Sequence, residues 1–203
     1  MLFRKNKNIK RLNELSHKIL LFESESSFKN VQFDQVLFNK YFEGLDLPIS
    51  ITTSFLAFQK AGLAASFEEP WSILKEVAYM QHYLGLWKDL NKENFDYQLK
   101  IQVEDNQFFL QPFILMPLVQ NSLYFGYHFM SKFPVKIDLR LIGNRLSLTV
   151  SNRVNHHINN QANTEIIKRF KSRLVLNYPN HQLLINSNST LFKTNLMMEL
   201  SNS

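Results

Sequence analysis

The chain has 203 residues, 45% of them hydrophobic, with 18 Phe, no Cys and a formal net charge of +6. So apolar a chain does not stay disordered, and the lack of cysteine excludes disulfides and thiolate metal sites and fits a reducing compartment. No run approaches the roughly 18 apolar residues of a membrane span and no signal-peptide pattern opens the chain, so a cytoplasmic protein is expected.

The first half reads as helical. Arg4, Lys5, Lys7, Lys10 and Arg11 form a basic cluster, taken as a solvated helix start rather than a nucleic-acid arm. Leu12, Leu15, Ile19, Leu20 and Phe22 give an apolar stripe. Phe33, Val36, Leu37, Tyr41 and Leu45 give a second, closed by Gly44 and Pro48, and Ile51, Phe55, Leu56 and Phe58 begin a third. A fourth helix is predicted over 71–88, with Leu74, Val77, Ala78, Gln81 and Leu84 at helical spacing. Glu68-Glu69-Pro70 reads as its start signal, since Pro suits a first turn and carboxylates suit the positive end of the helix dipole.

Beyond residue 92 strand and helix patterns alternate. Phe95, Tyr97, Leu99 and Ile101 alternate with polar residues as in a half-buried strand, and Glu104-Asp105 reads as the turn that ends it. A helix is predicted from Pro112 to about Met130. Val135, Ile137, Leu139 and Leu141, then Gly143-Asn144, then Leu146, Leu148 and Val150 form a hairpin signal. Asn163 to Tyr178 is predicted helical, with Ile166, Ile167, Phe170 and Leu174 on one face. Two strands follow, Gln182 to Asn186 and Leu191 to Leu200, joined at Ser187-Asn188-Ser189.

One stretch carries more than periodicity. Pro112-Phe113-Ile114-Leu115-Met116-Pro117-Leu118-Val119-Gln120-Asn121-Ser122, followed by Phe125-Gly126, resembles the nucleotide-site helix of the LytS/YehU-type sensor histidine kinases, which reads roughly P-x-L-x-L-Q-P-L-V-E-N-A-x-K-H-G. Ile73-Leu74-Lys75-Glu76-Val77 with Tyr83-Leu84-Gly85-Leu86 is similar to the same family's L-x-x-E segment, and Lys171-Ser172-Arg173-Leu174 with Tyr178-Pro179 to its R-x-R-L-x-x-x-Y-P segment. Phe33-Asp34-Gln35-Val36-Leu37-Phe38-Asn39 is similar to its phosphoacceptor box, N-P-H-F-L-F-N.

The resemblance implies an α+β fold: an N-terminal helical hairpin of the dimerisation type over 1–91, then a degenerate GHKL ATPase-like α/β sandwich with a mixed sheet over 92–203. It also exposes what is missing. The phosphoacceptor His position is Gln35, and an amide nitrogen does not accept a phosphoryl group as imidazole does. The Glu that would activate that His is Gln120, which has no base chemistry. Asn121 and Asn152 remain as relic nucleotide-binding positions. The family's adenine-binding Asp falls at Ser151, and its G-I-G-L-x-N box at Thr164-Glu165-Ile166-Ile167-Lys168-Arg169, with no glycine to let backbone approach phosphates.

The expected function is therefore that of a histidine-kinase-like signalling protein of a two-component pathway, a pseudokinase that needs no cofactor and acts by binding. Its expected partners are a second copy, an intact histidine kinase, or a response regulator of the LytTR type, with Phe33, Phe38, Tyr41 and Phe42 as the docking surface. The alternative is a divergent but active kinase that binds ATP and Mg²⁺, phosphorylating His17 or transferring in trans, with Asn121 as its best supporting residue. A nucleic-acid binder rests on charge alone. His156-His157 has no second cluster at metal-ligand spacing.

Overall fold

A computed structural model describes residues 2–44, 46–91, 95–104, 107–127, 132–157 and 160–200, with only the backbone at 2–7. Asp105, Leu45, the expected helix end at Met130 and the side chains of Arg4, Lys5 and Lys7 lie outside the described residues.

The helices come first: α1 (Leu2–Gln32), α2 (Gln35–Glu43), α3 (Ile49–Leu63) and α4 (Ile73–Asn91). Asp34 starts α2 as its N-cap, its Oδ1 accepting the Leu37 N–H at 2.8 Å. Joined by residues 44–48, α2 and α3 make the expected helical hairpin. Tyr41 of α2 stacks on Phe55 of α3 at 3.9 Å between ring centroids, and its hydroxyl donates to Thr52 Oγ1. The turn from α1 is tied down by Gln32, whose Nε2 donates to the Gly62 and Ala65 carbonyls at the end of α3. Gly62 also lets α4 close in, since a Cβ there would stand 2.8 Å from the Tyr79 hydroxyl.

Two expected boundaries are corrected. Trp71–Ser72 is not the first turn of α4 but a short strand, β1, paired antiparallel with β3 (Phe109–Leu110). Helix α4 begins two residues later, where the Lys75 N–H donates to Ser72 Oγ, so Pro70 lies outside it. Likewise Pro112 to Leu115 is not helical; α5 runs Met116–Phe125 with a proline in its first turn.

The sheet is mixed, in the order β2-β4-β5-β7-β6. Its strands are β2 (Tyr97–Val103), β4 (Val135–Ile142), β5 (Arg145–Arg153), β6 (Gln182–Ser187) and β7 (Leu191–Glu199). Among the described strands only β2 and β4 pair in parallel. The β4–β5 hairpin turns where expected, with Gly143 at φ 57°, a left-handed conformation that glycine adopts without strain. Register places Leu139, Leu148, Leu196 and Leu183 side by side across four strands, the first three fully buried. Each such leucine contributes about 1.5–3 kcal/mol of burial. The neighbouring row on the other face, Lys100, Asp138, Thr149 and Asn195, is polar, as alternation requires.

Helix α6 (Glu165–Asn177) lies beside α5, and the C-terminal part of α1 packs along α6. Phe28 and Val31 of α1 are buried there, and Ser172 donates to Glu23. Toward its N-terminus α1 leaves the body: residues 8–19 are all exposed. The fold class read from the sequence, α+β with a helical N-terminal hairpin and a mixed sheet, is the one the chain adopts. No helix among the described residues is long and apolar enough to cross a membrane.

Candidate functional site

Neighbouring residues on α5 point about 100° apart, so Gln120 and Asn121 serve different clusters. Both are fully buried and both are hydrogen-bonded.

Asn121 faces α6. Thr164, the N-cap of α6, donates its hydroxyl to Asn121 Oδ1 at 2.7 Å and accepts the Ile167 N–H. Asn121 Nδ2 donates to the Gln161 backbone carbonyl, and Gln161 Nε2 donates back to the Asn121 carbonyl. Gln161 also pairs reciprocally with Asn152: its Nε2 donates to Asn152 Oδ1 at 3.1 Å, and Asn152 Nδ2 donates to Gln161 Oε1 at 3.3 Å. Asn152 Nδ2 reaches the Arg153 carbonyl as well, at 2.7 Å. The two asparagines expected at a nucleotide site are thus brought together, but by a glutamine of the same chain seated between them. All three amides are less than one-tenth exposed. Ser151, expected at the adenine-binding position, lies on the opposite face of β5, because side chains alternate along a strand.

Gly126 closes this cluster at the end of α5. A Cβ there would stand 2.4 Å from the Ser122 carbonyl oxygen and 2.5 Å from Asn152 Nδ2. Gly126→Ala is therefore expected to lower stability by about 2 kcal/mol or more, the scale of overpacking plus a lost buried hydrogen bond. Urea unfolding measures it, and an unchanged midpoint would contradict the close approach.

Gln120 faces the other way. Its Nε2 donates to Asp34 Oδ2 at 2.9 Å, and the same oxygen accepts the Tyr83 hydroxyl at 2.5 Å. Tyr83 lies 3.3 Å from Tyr124 Oη. Burial first and the Asp34 charge second push both phenols well above their ordinary range, so they remain neutral donors. The segment similar to a phosphoacceptor box, Asp34-Gln35, therefore docks on α5 through Asp34, while Gln35 itself is exposed.

A third cluster shapes the approach to α5. Glu76 is fully buried and accepts the N–H groups of Phe113 and Leu115 at 2.8 and 2.9 Å. Arg173, also fully buried, donates to the Pro112 carbonyl at 2.5 Å and to the Phe113 carbonyl at 3.4 Å. Between these bonds Phe113 is held at φ 65°, a strained conformation for a bulky residue. Desolvation raises Glu76 to about 7 and lowers Arg173 to about 10.

The other expected residues are placed as follows. Phe33, Phe38 and Phe42 are exposed and Tyr41 is half-buried, on α2 and the turn before it. His17 is on the exposed part of α1, and His156 and His157 are exposed in the loop after β5. Among the described residues no group of three His, Asp or Glu side chains stands ready to hold a metal. Sequence reasoning missed Gln161, Asp34 and Tyr83. Only Asp34 carried a local signal, an N-cap residue one step before a helix.

No protein-family profile matches the chain, and no curated protein does. Its fold overlaps with solved histidine kinases. Acinetobacter baumannii histidine kinase AdeS aligns over 91% of this chain and 97% of its own, at 10% identity and a TM-score of 0.48. A histidine kinase from Burkholderia phymatum STM815 aligns over 94% and 98%, at 12% identity and 0.45. The histidine kinase domain of the Erythrobacter litoralis EL346 blue-light activated histidine kinase aligns over 91% and 94%, at 10% identity and 0.46.

Proposed function

We propose that this chain is a histidine-kinase-like signalling protein of a two-component pathway that acts by binding rather than by phosphoryl transfer. The observation that carries the reading is Gln161. Its side chain pairs with Asn152, and its backbone carbonyl, with the Thr164 hydroxyl, takes up Asn121, so that the two polar groups a nucleotide and its Mg²⁺ would need are already bonded within the chain. Gln35 and Gln120 support it, since neither is a phosphoacceptor or a base. Mg-ATP at millimolar concentration should leave the melting temperature unchanged, because stabilisation by a ligand follows about RT ln(1 + [L]/Kd). A saturable shift with a micromolar midpoint would establish the rival reading of a divergent active kinase. Gln161→Ala should lower stability by about 1–3 kcal/mol through its orphaned amide partners, still without an ATP response.

The partner we infer is a second copy of the chain, with a response regulator, of the LytTR type by resemblance, docking on Phe33, Phe38, Tyr41 and Phe42. Support for self-association comes from α1. Leu12, Leu15, Ile19 and Phe22 are all exposed, and their 3-4-3 spacing is that of a coiled-coil seam. Light scattering should give twice the monomer mass, and the double change Leu15→Glu with Ile19→Glu should give the monomer. A wild-type monomer at tens of micromolar would remove the dimer from the proposal.

A further inference from the structure

Between α2, α4 and the C-terminal end of α5 lies a half-open cavity of about 590 Å³, a size common for small-molecule sites. Neither Asn121 nor Asn152 lines it. Its wall is mainly hydrocarbon and aromatic, from Val36, Trp87, Leu90, Leu123, Tyr124 and Phe125. Lys40 is the one charged residue that lines it among the described residues. The ammonium group donates to Asn91 Oδ1 at 2.9 Å and stands 5.1 Å from the Trp87 ring centroid. An ammonium has three N–H donors, so among the described residues two are left for a ligand. Among the described residues no carboxylate lines the cavity.

We propose that this cavity binds a small apolar monocarboxylate, an aryl or medium-chain alkyl acid. Its carboxylate pairs with Lys40 and its hydrocarbon lies against Trp87, Leu90 and Leu123. The charge count selects the class. One cation, Lys40, with the amides of Asn91 and Asn155 matches a single negative charge, whereas a polyphosphate needs a glycine-rich nest or several cations. The apolar wall selects a body that leaves water rather than a short hydrophilic acid. A bound acid would tie α2, through Lys40 and Val36, to α4 and α5, which makes the cavity an input point for the helical hairpin. The assignment does not rest on whether the chain binds nucleotide.

The test uses the full chain with 2-naphthoate, octanoate and the neutral isostere 2-naphthamide, read by titration calorimetry and by tryptophan fluorescence, to which Trp87 contributes from the cavity wall. Saturable binding of both acids is expected, with 2-naphthamide at least about tenfold weaker, the value of one charge-assisted hydrogen bond. Lys40→Met should erase the preference for the acid over the amide while the melting curve stays cooperative. Leu90→Trp, which fills the cavity without touching Lys40, should abolish binding of all three. The proposal is overturned if neither acid binds the folded protein up to about 5 mM, if acid and amide bind alike, or if folded Lys40→Met or Leu90→Trp binds as the parent does.

Discussion

Replacing Arg173 by methionine should lower stability by about 3–5 kcal/mol, the cost of leaving one half of a buried charged pair behind. The side chain is fully buried, and methionine restores volume but not the donors to the Pro112 and Phe113 carbonyls. The loss should depend on pH. Glu76 has an ordinary value of 4.5 and is raised to about 7 in the folded chain, chiefly by desolvation and against the Leu115 and Phe113 N–H bonds and the charge of Arg173. The folded state therefore holds a proton that the unfolded state has released. Stability from this group is full below pH 4.5 and falls as pH rises toward about 7, by about 3 kcal/mol in all. Removing Arg173 raises Glu76 further, so the variant should lose more at pH 8 than at pH 5, where the carboxyl is already protonated. Denaturant unfolding at the two pH values decides it. An equal loss at both would mean that Arg173 acts only through its carbonyl contacts.

Replacing Asp34 by alanine should cost about 3 kcal/mol or more. One part, about 1 kcal/mol, is the helix cap at Leu37. The rest is the Gln120 amide and the Tyr83 hydroxyl left buried without their acceptor, at about 1–3 kcal/mol for each orphaned group. Asp34→Asn keeps an oxygen for the cap and should recover only that part. Hydrogen exchange should show α2 opening in the alanine variant while the sheet stays protected, because Asp34 is what ties the start of α2 to α4 and α5. A loss below about 1 kcal/mol, or uniform loosening of the whole chain, would contradict this role.

The sheet was legible because its signal is local. Alternation over 135–150 with Gly143 at the turn fixes both strands and their faces, and the structure keeps that register. The helical half was legible in kind but not in its limits. Trp71 falls at helical spacing from Leu74, yet it pairs with Leu110 as a strand, a partner that no local pattern names. The apolar run from Pro112 reads as one helix. Its first residues instead form a turn with Phe113 strained, held by Glu76 and Arg173, which stand 37 and 60 residues away from Phe113. Asn121 and Asn152 were found by resemblance. Gln161 was not, because a lone glutamine in a polar loop carries no sign of the asparagines it will meet.

Helix α1 has a consequence of a mechanical kind. At 31 residues it is about 46 Å long, and its buried side chains lie at the C-terminal end, between Ser24 and Gln32. It is a lever with a short arm in the core and a long arm in solvent. The short arm bears on α6, and α6 is capped by Thr164, whose hydroxyl donates to Asn121 Oδ1. A tilt of the long arm, imposed by whatever grips its apolar stripe, would reach the amide cluster first as a displacement of the Thr164 hydroxyl group.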